Sequence, residues 1–307
     1  MTFGNEADEA TSVCIMDRAL DAGVNFFDSA DVYNKGVTEE IVGRWLPAHR
    51  DEIVMASKVH FPSGSGVNDR RSSRRHIVME TEQILRRLQT DRVDILYLHH
   101  WDEDTAVEES LAALDTLIAQ GKVLYAGVSN FAAWQTVQTL AVARERQLAE
   151  PVCLQPQYNL LKRQAEVEIL PMAEALALGV CPYSPIAAGL LTGKYHRGEG
   201  GRIKTNKMYI ERYKDPDYMD IAGRFVAYAD AKGFDPSSLA TAWVASHPAV
   251  TSAIVGARNL EQFESALGAA TIEMDATMRS EISAFSPTPP LATDRESMAV
   301  TEQVIKR

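Results

Sequence analysis

The chain is poor in cysteine, has no surplus of positive charge and contains no long apolar run. Its 307 residues include three cysteines, Cys14, Cys153 and Cys181. Their spacing suits neither a metal site nor a disulfide framework, so buried thiols in a reducing compartment are expected. Lysine and arginine number 31 against 42 aspartates and glutamates, for a net charge of −11. That excludes the broad basic surface that nucleic-acid binding needs, but not a local basic pocket for a small anion. No apolar stretch is long enough to span a bilayer, and Glu6, Asp8 and Glu9 do not suit a secretory signal. A soluble cytoplasmic protein with no membrane or nucleic-acid partner is expected. The G-x-G-x-x-G turn of a doubly wound dinucleotide-binding sheet follows none of the strand-type segments.

What is present is alternation. Hydrophobic residues make up 46% of the chain, enough for one large core. Strand-type segments end at Asp28, Lys58, His99, Ser129, Gln155 and Tyr183, and one more spans Thr251–Val255. Helical periodicity follows each of them and also precedes the first, over Asp8–Gly23. Thr105 and Glu108 have capping-box spacing, as do Asn259 and Gln262, while Asp235 and Pro236 suit N-cap and N1. Gln164–Leu178 reads as one helix, and Ala187–Tyr218, without clear period, as a long loop over the mouth. Alternation of this kind implies parallel strands with crossover helices. The expected fold is α/β, a single (β/α)8 TIM-barrel domain over residues 1–307. Only Met1–Gly4 remain for its first strand, so most of that strand is expected to be absent.

In such a barrel the chemistry collects at the C-terminal strand ends. Asp28 closes the apolar run Val24, Phe26, Phe27, and a carboxylate there needs a cation. Lys58, at the end of the next strand, supplies one. An ammonium beside Tyr33 would lower the phenol's pKa and tune it for proton transfer. His99 and His100 point opposite ways along their strand, and spacing alone leaves open which one reaches the mouth. Arg258, just before the helix that Asn259 opens, suits an anion site. Taken singly, each of these residues is as commonly structural or solvated; together they form a ring. No histidine or cysteine partner near His99 suggests a metal.

Several segments then resemble the aldo-keto reductase superfamily, in family order over almost all of the chain. FFDSADVY is similar to its aspartate–tyrosine segment, ASK to its lysine strand and VDILYLHHWD to its histidine strand. AGVSNF, LQPQY, YSPIAAGLLTGKY and IVGARNLEQ are similar to its cofactor segments. The branch it most resembles holds bacterial broad-specificity aryl-aldehyde and sugar-type reductases and potassium-channel beta subunits. The resemblance implies Asp28, Tyr33, Lys58 and His99, rather than His100, as the catalytic set. Tyr33 would give the proton and His99 would orient the carbonyl. It implies NADPH as cofactor. Ser129, Asn130 and Gln155 would hold the nicotinamide carboxamide, with Tyr183 stacked on the ring. Ser184, Leu190, Gly193 and Lys194 would follow the pyrophosphate, with Gly256, Arg258 and Gln262 around the adenosine end. Trp101 would shape the pocket of a small carbonyl or alcohol substrate. Ala266 stands where the family often has Asn, and the family's N-terminal hairpin plug has no counterpart before Met1. The implied activity is reversible NADPH-dependent reduction of a small aldehyde or ketone. The alternative is a cofactor-binding regulatory subunit, or an N-terminally truncated protein of little activity. Homo-oligomerisation is left open.

Overall fold

The computed structural model describes residues 1–293. At its centre is a six-stranded sheet, all parallel and paired in chain order. The strands are β1 (Phe26–Asp28), β2 (Val54–Val59), β3 (Val93–Leu98), β4 (Val123–Ser129), β5 (Pro151–Gln155) and β6 (Gly179–Val180). Helix α1 (Glu9–Asp21) comes before β1. Between successive strands run α2 (Val37–Trp45), α3 (Arg74–Leu88), α4 (Val107–Ala119), α5 (Ala133–Arg146) and α6 (Ile169–Ala175). Parallel neighbours require such crossovers, and the helices cover the outer face of a half-barrel. After β6 come α7 (Arg202–Thr205), α8 (Lys207–Arg212), α9 (Asp217–Lys232), α10 (Pro236–Ala245), α11 (Leu260–Leu267) and α12 (Ala276–Ser283).

Local chemistry accounts for most of the boundaries. Asp8 caps α1 by accepting from the Thr11 amide at 2.8 Å. Asp235 caps α10 with Pro236 at its first turn, and Asn259 caps α11. Strand β2 is buried at every residue after Val54, its polar Ser57 and Lys58 included.

Several expectations need correction. The Thr251–Val255 strand shrinks to one bridge, Ile254 to Tyr183, because the Thr251 and Ser252 amides both turn back onto the Val180 carbonyl. Met1–Gly4 forms no strand: Phe3 bridges Ala7, and Gly4 turns at φ +77°. Six strands, rather than the seven expected beside a largely absent first one, are therefore present among the described residues. The expected loop Ala187–Tyr218 contains a 3-10 turn at Ala187–Thr192 followed by α7 and α8. The helix expected over Gln164–Leu178 splits into a short turn (Gln164–Glu166) and α6. Thr105 does not cap α4, since its hydroxyl donates instead to Asp102 at 2.7 Å. Cys14 is exposed, unlike the buried Cys153 and Cys181.

A buried polar cluster ties β2 to α2 and α3 beneath the mouth. A Cβ on Gly43 would lie 2.0 Å from the Arg87 carbonyl oxygen, so glycine lets α2 approach α3. Arg87 Nε donates to Glu39 at 2.7 Å and Nη2 to Glu80 at 2.6 Å. Ser57, the neighbour of Lys58, donates to the other oxygen of the fully buried Glu39 at 2.5 Å. Removing one partner of such a group strands a buried carboxylate. Arg87→Met is therefore expected to lower the unfolding free energy by about 3 kcal/mol in urea titrations. Glu39→Gln added to it should restore part of that loss. A single-variant loss within about 0.5 kcal/mol, the range of ordinary surface changes, would contradict the role of the cluster.

Candidate active site

The register of the sheet brings the polar strand ends together. Asp28 pairs with Ala56 two residues before Lys58, Lys58 faces Tyr97 two residues before His99, and Ser129 faces Gln155. Lys58 is fully buried. Its Nζ donates to Asp28 Oδ2 at 2.5 Å, to the Ser29 carbonyl at 2.7 Å and to the Tyr33 hydroxyl at 3.2 Å. All three ammonium donors are thus accounted for. Asp28 Oδ1 is held in turn by Gln155 Nε2 at 2.8 Å. The Tyr33 ring lies edge-on to His99, with centroids 6.0 Å apart.

The electrostatics follow from burial. Dense surroundings push the Tyr33 phenol above its ordinary value of 10, and the Lys58 ammonium pulls it back only in part. The net lowering expected from the sequence is therefore corrected: desolvation outweighs the attraction of the cation. Lys58 is raised, because Asp28 and Tyr33 more than offset its own desolvation. His99 is held well below the usual histidine range, chiefly by burial and next by Lys58, so the ring is neutral. Its Nδ1 is buried without a partner among the described residues. A proton placed there would be a stranded donor, so the favoured tautomer carries it on Nε2, where it can donate to a carbonyl oxygen. His100 is exposed and bonds locally to the Trp101 carbonyl at 2.7 Å. The alternative left by strand periodicity thus falls to His99.

The remaining predicted residues form two groups. Beside the cluster, Asn130 Nδ2 donates to the His99 carbonyl at 2.9 Å and Tyr183 OH donates to Asn130 Oδ1 at 2.7 Å. Ser129 Oγ donates to the Gln155 carbonyl at 2.9 Å. Asn130 and Ser184 both sit at positive φ, 57° and 62°, which marks a tightly specified backbone. Trp101 is half-buried, edge-on to Phe131 at 5.2 Å. Farther along, Leu190 is buried, and Gly193 sits at φ +76° beside half-buried Lys194. A Cβ on Gly256 would meet nothing within 4 Å. Gln262 accepts from the Arg258 amide at 3.2 Å instead of reaching the Asn259 amide, so only half of the expected capping box forms.

Lys194 is lowered by burial and by the fields of Arg258 and Arg202, which places three cations close together. Glu6 lies among them and is ion-paired to Arg202. The surplus of cations suits an anion as large as a dinucleotide's phosphates, so these residues fit a nicotinamide dinucleotide. Sequence reasoning missed Gln155's grip on Asp28, the Ser29 carbonyl, Arg202, Phe61 and Arg212. Phe61 packs edge-on to His99 at 4.9 Å. Arg202 and Arg212 lie on the short helices α7 and α8, whose single turns left no period to read.

Comparison with known proteins gives the family. A profile described as "Aldo/keto reductase family" matches residues 1–287. The chain is 36% identical to "Uncharacterized oxidoreductase YrpG" of Bacillus subtilis (strain 168), over 94% of this chain and 91% of that protein. It is 37% identical to a "Probable voltage-gated potassium channel subunit beta" of Arabidopsis thaliana, over 86% and 83%. It is 31% identical to "Norsolorinic acid reductase B" of Dothistroma septosporum, over 92% and 74%. Matched over nearly all its length, the chain belongs to the aldo/keto reductase family and is an NAD(P)H-dependent oxidoreductase.

Proposed function

We propose that the protein reduces small aldehydes or ketones reversibly with NADPH, and that Tyr33 supplies the proton. The observation that carries this reading is the buried Lys58 ammonium shared by Asp28 and the Tyr33 hydroxyl. NADPH supplies the hydride when bound. His99 Nε2 donates to the substrate oxygen and holds it beside the Tyr33 hydroxyl. As negative charge develops on that oxygen, Tyr33 releases its proton to it and Lys58 stabilises the resulting phenolate. Asp28 keeps Lys58 in place and charged, and Gln155 keeps Asp28 oriented. Ser129 and Asn130, with the side-chain amide oxygen of Gln155, would receive the carboxamide while Tyr183 offers its ring face. Ser184, Leu190, Gly193 and Lys194 would line the pyrophosphate, and Gly256, Arg258 and Gln262 the adenosine end. Arg258 supports the choice of NADPH over NADH, since a guanidinium matches a 2′-phosphate. Trp101 would wall the substrate pocket. The same reading takes the six strands as part of an eight-position barrel, supported by the bridge of Ile254 to Tyr183. It takes the protein as cytoplasmic, in keeping with three free thiols.

A second reading, a cofactor-binding subunit with slight activity, is favoured by the relatives named as potassium-channel beta subunits. One variant separates the two. Tyr33→Phe should lower NADPH oxidation with 4-nitrobenzaldehyde by about a thousandfold, within the range for losing a proton donor, and leave NADPH binding intact. A wild type that binds NADPH but reduces no aldehyde in a panel would favour the subunit. Cofactor choice has its own check by fluorescence titration. Arg258→Ala should weaken NADPH by about tenfold or more and NADH by much less, since only a charge-assisted contact to the 2′-phosphate is lost. Equal losses would contradict that contact.

A further inference from the structure

We propose that the preferred carbonyl substrate bears a carboxylate, received by Arg212 at the rim of the mouth; this rests on the reductase reading above. Arg212 ends α8 and is half-buried. Its guanidinium lies 5.8 Å from the Tyr183 ring centre and 5.3 Å from that of Tyr209. The first of these rings adjoins the reacting centre: Tyr183 is bonded through Asn130 to the His99 carbonyl.

The surrounding charges are otherwise committed. Lys58 is held by Asp28, and His99 is neutral. Arg202, from the adjacent α7, is paired to Glu6. Glu211, next to Arg212 in sequence, is paired to Lys214. Among the described residues Arg212 has no carboxylate partner; its one polar contact is with the Met208 sulfur at 3.8 Å, a weak acceptor. A half-buried guanidinium held between aromatic faces keeps its charge while its planar fork stays available.

Apolar rings flank His99 and Trp101. Phe61 lies edge-on to His99, and Trp101 packs against Phe131 and the exposed Trp134. An aromatic or aliphatic body between carbonyl and anion would lie against these rings. One unpaired guanidinium matches a singly charged carboxylate better than a phosphate, which usually gathers several cations and amides.

The experiment compares 4-carboxybenzaldehyde with its uncharged methyl ester, methyl 4-formylbenzoate, using NADPH-loaded protein. Wild type should show kcat/KM about tenfold or more higher for the acid, mainly through KM, as for a charge-assisted contact made in ground and transition states alike. In Arg212→Gln the acid-to-ester ratio should fall to near one, and Arg212→Lys should keep part of the preference. Because the ratio is taken within each variant, a general loss of activity or folding cancels. A wild-type ratio near one, or a ratio unchanged in Arg212→Gln, overturns the proposal. So does an Arg212→Gln variant that loses NADPH affinity while keeping the preference, since Arg212 would then serve the cofactor. If wild type reduces no carbonyl at all, the reductase reading fails separately. Calorimetric titration of 4-carboxybenzaldehyde onto the NADPH complex then decides: binding lost in Arg212→Gln supports the anion site, and no binding overturns it.

Discussion

Lys58 has no water to fall back on. Its ammonium is fully buried, and an unpaired charge in such a place is untenable. The structure answers with an acceptor for each donor: the Asp28 carboxylate, the Ser29 carbonyl and the Tyr33 hydroxyl. The third of these turns a structural necessity into chemistry. Tyr33 is not an incidental neighbour of the ion pair, because it completes the coordination of the ammonium. The parallel register puts β1 and β2 side by side, and Gln155 reaches across from β5 to steady the far side of Asp28. The Arg87–Glu39–Ser57 cluster anchors the same strand one residue earlier.

The Tyr33 phenol is governed by two opposing effects of comparable origin. Burial holds the phenol in its protonated form, and Lys58 makes the phenolate accessible once charge moves. In the free site burial prevails, so Tyr33 rests as an acid ready to donate. The neutral His99 beside it adds a hydrogen-bond donor without a competing charge. In the proposed reduction the two side chains therefore divide the work, one supplying a proton and the other a direction.

Much of this was legible in the sequence because strand ends are short-range features. Asp28, Lys58 and His99 each close an apolar run, and a parallel fold brings such closures to one rim. The helix starts at Asp8, Asp235 and Asn259 were equally local. What stayed hidden depends on tertiary context. Desolvation of Tyr33 comes from residues scattered over the chain, so the sign of its shift could not be read from Lys58 alone. Gln155 lies 127 residues from Asp28, and nothing local announces their bond. Thr105 had a cap's spacing but found a stronger partner in Asp102. The seventh strand had a strand's composition, yet its first two amides turned back to one carbonyl of β6 and left a single bridge.

The most direct test of the account is the titration of Tyr33 itself, followed by NMR of the ring carbon bearing the hydroxyl in ¹³C-tyrosine-labelled protein, with Tyr33→Phe to assign the signal. In the free protein the phenol should titrate above its ordinary value of 10, and Lys58→Met should move it higher still. A Tyr33 that titrates below 10 in the wild type, or at the same pH with and without Lys58, would contradict the opposition of burial and ammonium on which the mechanism rests.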